Sequence, residues 1–109
     1  MTDAVMVLTT VPSPEVGAAL ARSLVQARIA ACVNVLPPMT SVYRWKGELQ
    51  QATECQVVIK TVRGRLDALH ALVRESHPYE LPEFVVVAIE AGHAGYLAWV
   101  AAEASGESG

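Results

Sequence analysis

The chain has 109 residues, room for one domain and no second core. Its net charge of -3, with eight Lys and Arg scattered along it, argues against an electrostatic nucleic-acid footprint. Yet 52% of its residues are apolar or aromatic and the mean hydropathy is +0.32, more than a lone subunit of this size hides, so some of that surface is expected to face another subunit.

The first element is Val5-Met6-Val7-Leu8-Thr9-Thr10-Val11, a continuous β-branched run that reads as a central strand buried on both faces. Ser13-Pro14-Glu15 then supplies an N-cap, a proline at the first helical position and an acidic first turn. The helix is expected to run to about Arg28, with Val16, Leu20, Leu24 and Ala27 as its inner stripe.

From Ala30 to Thr61 the pattern predicts one long β-hairpin turning at Lys46-Gly47. Pro37-Pro38 interrupts the outgoing strand, which argues for an edge position or a bulge, because proline cannot donate to a ladder. In this register Trp45 faces Glu48 and Cys32 falls opposite Thr61. Cys32 and Cys55 then lie about 20 Å apart at ~3.3 Å per residue, too far for an intrachain disulfide. On the return strand Cys55, Val57 and Ile59 share one face, and Gln56, Val58 and Lys60 the other.

A second amphipathic helix is predicted from about Arg63 to Ser76, with Leu66, Leu69 and Val73 inward, stopped by His77-Pro78. A strand follows over Glu83 to Glu90, then a turn framed by Gly92 and Gly95, then a short helix from Tyr96 to Ala104. Residues 1–104 are expected to form a single domain, with 105–109 a flexible polar tail. The order β-α-β-β-α-β is that of the ferredoxin-like α+β sandwich. Right-handed crossovers put the first and third strands in the centre and the second and fourth on the edges. A hairpin this long and apolar is more than the small chain covers by itself, so an oligomer is expected.

No segment reaches the ~18 apolar residues of a membrane span. The start, with Asp3, lacks a charged and then apolar leader, so no signal peptide is expected and a cytoplasmic location is the default.

Several segments together resemble the CutA proteins, the divalent-cation tolerance family. They are Ala30-Ala31-Cys32-Val33-Asn34, Thr40 to Glu48, Glu54 with Ile59-Lys60-Thr61, His77-Pro78-Tyr79-Glu80 with Pro82-Glu83, and Gly95-Tyr96-Leu97-Ala98-Trp99. The resemblance implies a ferredoxin-like fold similar to the PII signal proteins and a tight homotrimer whose long second and third strands pair across subunits. It also implies a role in tolerance of copper and other divalent cations, with no established catalytic reaction.

Two clusters hold the candidate chemistry: the hairpin tip and the loop from His77 to Glu83. Tyr43, Trp45 and Tyr79, with Lys60 and Glu80 as polar contacts, suit a small-molecule cleft between subunits. The same aromatics are equally familiar as interface anchors. His77 is the best single metal candidate, for Cu(II) or another divalent ion, although one histidine does not make a site. Some CutA proteins have a cysteine near the end of the first strand and a second histidine beside this one as proposed copper ligands. Thr9 and Ser76 stand there in this chain, and neither is a soft ligand. Lys60 with Glu54 or Glu80 is the only plausible acid/base pairing, and no nucleophile–base spacing accompanies it, so a non-enzymatic protein without an obligatory cofactor is expected. The alternatives are a purely scaffolding trimer with no saturable ligand, or an enzyme with an active site between subunits.

Overall fold

In the computed structural model, residues 2–76 and 78–105 are described. The metal candidate His77 and most of the expected tail, 106–109, lie outside them. The elements are β1 (Ala4–Val11), α1 (Pro14–Gln26), β2 (Cys32–Val35), β3 (Met39–Trp45), β4 (Glu48–Val62), a single 3₁₀ turn (Arg63–Arg65), α2 (Leu66–Ser76), β5 (Val85–Ala88) and α3 (Ala94–Glu103).

The strands form one antiparallel sheet in the order β2-β4-β1-β5, with β3 continuing the β2 edge alongside the far half of β4. The two central strands are therefore β1 and β4, as the crossover rule requires. Their register pairs Val5, Val7, Thr9 and Val11 with Thr61, Ile59, Val57 and Cys55, and all eight side chains are buried. This face meets Leu24 of α1 and Leu69 and Val73 of α2, which together make the main core. Of the β1 residues of opposite parity, Ala4 and Thr10 are buried while Met6 and Leu8 are only half-buried. The expectation that β1 is covered on both faces is thus met only in part within one chain: both crossover helices land on one side of the sheet, and on the other Val100 of α3 and its C-cap Ala104 cover the Ala4 end alone.

Pro14 and Ser13 start α1 as expected, with Ser13 Oγ accepting from Val16 N at 3.2 Å. The helix ends at Gln26 rather than Arg28, because Arg28 adopts a φ of 58° and turns the chain toward β2. Ala27 is consequently exposed, and Gly17 takes its place as a buried contact beneath Val35. Edge strand β5 keeps only Val85–Ala88 of the expected run.

The hairpin register carries one correction. Trp45 faces Glu48 and Met39 faces Glu54, but beyond the prolines Val35 faces Val57 and Cys32 faces Lys60 rather than Thr61. Leu36, Pro37 and Pro38 span what two residues, Cys55 and Gln56, span on the partner strand, so the diproline is a β-bulge of one extra residue. Leu36 N still donates to Gln56 O at 2.9 Å, which holds the ladder together across the bulge. Both cysteines remain free.

Past the bulge the hairpin runs clear of the helices, and the molecule is 45 Å long against 26 and 23 Å across. Val42 and Leu49 are 61% and 71% exposed there.

Candidate functional site

Cross-strand partners in a ladder point to the same side of a sheet. Tyr43 and Trp45 of β3 therefore share a face with Glu54 of β4, whose partner is Met39. The loop from Pro78 to Glu83, entering β5, lies against this face. Between them is a cleft of ≈ 410 Å³ lined by Tyr43, Trp45 and Tyr79, by Leu81 and Pro82, and by Thr10, Glu54, Glu80 and Glu83.

Tyr79 ties the loop to the hairpin, donating its hydroxyl to Glu54 Oε2 at 3.1 Å. Burial, reinforced by that hydrogen bond and by the adjacent Glu54 charge, pushes its pKa from 10.0 up to about 12. The phenol therefore remains a donor far above neutral pH. Gln56 makes the second tie: its Nε2 donates to Thr9 O at 2.6 Å and to Glu83 Oε2 at 3.0 Å, joining β4, β1 and the loop. At the mouth, Lys46 Nζ lies 3.6 Å from Glu80 Oε2 and 5.6 Å from the Trp45 ring centroid. Lys46 occupies the turn with a φ of 51°, followed by Gly47 at 80°, the positive-φ pair that a tight two-residue hairpin turn requires.

Four of the residues anticipated for a cleft between subunits, Tyr43, Trp45, Tyr79 and Glu80, already meet in this cleft within one chain. Lys60 does not. It shares a β4 face with Glu54 but stands six residues further along, about 20 Å at ~3.3 Å per residue. Its Nζ instead lies 5.8 Å from the centroid of Tyr96 on α3. Glu54, which sequence reasoning linked with Lys60, meets Tyr79 instead. Thr10 and Leu81 were not anticipated; the side chain of Thr10 sits at the open-face parity of β1, and that is the signal that would have found it.

The remaining metal-type side chains are dispersed. His70 stacks on Phe84 with ring centroids 4.5 Å apart. His93 caps α3, its Nδ1 accepting from Tyr96 N at 3.4 Å. Thr9 is fully buried with no hydrogen-bond partner for its hydroxyl among the described residues, and Ser76 donates to the Leu72 carbonyl. Among the described residues no three His, Cys, Asp or Glu side chains group to hold a metal ion.

Residues 5–103 match the family described as CutA1 divalent ion tolerance protein. This chain belongs to that family. It is 43% identical over 95 residues to the divalent-cation tolerance protein CutA of Thermus thermophilus, covering 87% of this chain and 92% of that one. It is 46% identical over 91 residues to the CutA homolog of Xenopus laevis, covering 84% of this chain but only 60% of that longer protein. Among solved structures, CutA from Xylella fastidiosa superposes with a TM-score of 0.90 at 36% identity, covering 94% of this chain and 98% of its own. That likeness agrees with the ferredoxin-like arrangement described above. Related proteins are named for different compartments, chloroplastic in Oryza sativa and periplasmic in Archaeoglobus fulgidus. Among the described residues of this chain, no helix is long and apolar enough to cross a membrane.

Proposed function

We propose that this protein is a cytoplasmic homotrimer that acts in tolerance of divalent metal ions, copper among them, by binding a metal ion or small effector in its clefts, without catalysing a reaction and with no obligatory cofactor. The observation that carries this reading is the convergence of Tyr43, Trp45, Tyr79 and Glu80, from two segments distant in sequence, on one ≈ 410 Å³ cleft. A concave site of this size, with apolar walls and a few polar groups, is what a small ligand needs.

The trimer rests on a different observation. The hairpin exposes Val42, Tyr43 and Leu49, β5 exposes Val85, Val86 and Val87, and α3 exposes Tyr96 and Trp99. An unpaired apolar edge beside an apolar hairpin favours association, and closed symmetric assembly hides both. A ligand seated in the cleft would touch both the hairpin and the Pro78–Glu83 loop and so bias the surface that the assembly presents to other molecules.

The test pairs two measurements. Sedimentation equilibrium at micromolar concentration is expected to return three times the 11.6 kDa chain mass. A thermal-shift screen over Cu(II), Zn(II), nucleotides and small metabolites is expected to show saturable stabilisation that Tyr43→Ala abolishes. A monomer overturns the assembly, and a screen with no saturable response favours the scaffolding alternative.

A further inference from the structure

The cleft has a chemical bias. Three aromatic residues and three carboxylate residues line it, and among the described residues no Lys or Arg does. Its floor is also bound into place, since Tyr79 holds Glu54 and Gln56 holds Glu83 from behind.

The nearest cation is the protein's own. The Lys46 ammonium sits 5.6 Å from the Trp45 ring centroid and 3.6 Å from Glu80, two of the lining residues. An aromatic face attracts an ammonium through its quadrupole, and a neighbouring carboxylate adds charge attraction. Lys46 and Glu80 are 68% and 73% exposed, so water screens their pairing and a better-buried cation can displace it.

We infer that the ligand of this cleft is a small organic cation, an alkylammonium or quaternary ammonium, held between the aromatic rings and the Glu54, Glu80 and Glu83 carboxylates in the manner that Lys46 already displays at the rim. The inference rests on the reading of the cleft as the ligand site and adds the charge class of the ligand. A quaternary centre suits the walls best, because its hydration is weak and its charge is spread over methyl groups that pack on aromatic faces. Inorganic or organic anions meet three carboxylates and no lining cation there, so charge disfavours them.

Isothermal titration calorimetry of the intact assembly tests this with three probes of similar size: tetramethylammonium, the neutral alcohol of the same shape, tert-butanol, and butyrate. Tetramethylammonium is expected to bind at least about tenfold more tightly than the alcohol, and butyrate not at all. Trp45→Leu and Glu80→Gln should each weaken tetramethylammonium by roughly three- to tenfold. Lys46→Asn keeps a turn residue suited to positive φ and removes the resident cation, so it should tighten binding about two- to threefold. A tightening cannot come from a damaged fold. If the alcohol or butyrate binds as well as tetramethylammonium, and Trp45→Leu weakens all alike, the cation inference falls while the cleft stands as a site. If no probe of any charge saturates, the cation inference falls, and the cleft as a ligand site is decided by the thermal-shift screen and its Tyr43→Ala control.

Discussion

Tyr79 and Glu54 meet at 3.1 Å, and that hydrogen bond is one of the ties that fasten the loop leaving α2 to the hairpin. The bond is useful because it is titratable. Burial first, and Glu54 second, hold the Tyr79 phenol protonated until about pH 12, against 10.0 for an ordinary tyrosine.

The first prediction follows from that shift. In an ultraviolet titration one of the three tyrosines should ionise late, near pH 12, and Glu54→Gln should move it back toward the ordinary value. The sign for stability is definite. The folded state holds this proton more tightly than the unfolded chain, so the contribution is complete below pH 10 and is lost as pH rises from about 10 to about 12. Tyr79→Phe should remove that part of the alkaline decline in denaturant midpoint. An unchanged alkaline profile in Tyr79→Phe would show that the phenol is not linked to folding.

The second prediction concerns the close approach of α1 to β2. A Cβ on Gly17 would stand 2.8 Å from Val35 Cγ1 and 3.2 Å from Val11 Cγ2. Gly17→Ala gains about 1 kcal/mol of helix propensity, and overpacking against a β-branched side chain costs about 1–3 kcal/mol. The net expectation is a loss of roughly 1 kcal/mol in urea unfolding at fixed protein concentration. Val35→Ala opens the space, so Gly17→Ala should be neutral or stabilising in that background. Additive effects of the two changes would mean the contact is not the cause.

Much of this arrangement was legible in the residues, for identifiable reasons. The β-branched run of β1, the Ser13-Pro14 start of α1 and the Lys46-Gly47 turn are local signals, and each element formed where its signal lies. The bulge was legible only as an alternative, because a diproline interrupts a ladder without showing how the register resumes; the answer depends on Leu36 N reaching Gln56 O. The cleft was half legible. Aromatic residues two apart on a strand share a face by parity, which placed Tyr43 beside Trp45. Parity says nothing of distance along the strand, so Lys60 was grouped with side chains it does not meet within one chain. The Tyr79–Glu54 contact bridges two segments that are joined only by tertiary packing, and no pattern in either segment announces it.

The third prediction addresses metal binding. Among the described residues no three metal-type side chains converge, and His77, the best single metal candidate by its imidazole, is to be told apart from a structural histidine of the loop. Calorimetric titration with Cu(II) and Zn(II) is expected to give weaker binding in His77→Ala than in the wild type, with Cu(II) the tighter ion, as the general order of divalent affinities requires. Because imidazole binds metal only when neutral, the wild-type affinity should also fall below about pH 6. Equal affinity in both proteins would remove His77 from the ligand set.

The fourth prediction uses the face of the hairpin that turns away from the cleft. Val42 pairs with Gln51 and Leu49 with Arg44, so Val42 and Leu49 lie on the side opposite to Tyr43 and Trp45, and they are 61% and 71% exposed. Burying a valine or leucine side chain contributes about 1.5–3 kcal/mol. If the trimer covers this face, Val42→Lys with Leu49→Lys removes about 3 kcal/mol or more of association free energy per hairpin. Sedimentation velocity should then show dissociation at concentrations where the wild type stays assembled. The helical circular dichroism should persist, because neither side chain touches the core formed by Leu24, Ile59 and Leu69. The matched pair Ser41→Lys and Gln50→Lys, one on each strand on the cleft side, adds the same two charges and separates a specific effect from one of added charge. Dissociation by the first pair alone assigns the Val42–Leu49 face to the subunit contact, and an undisturbed assembly in both would place the contact elsewhere.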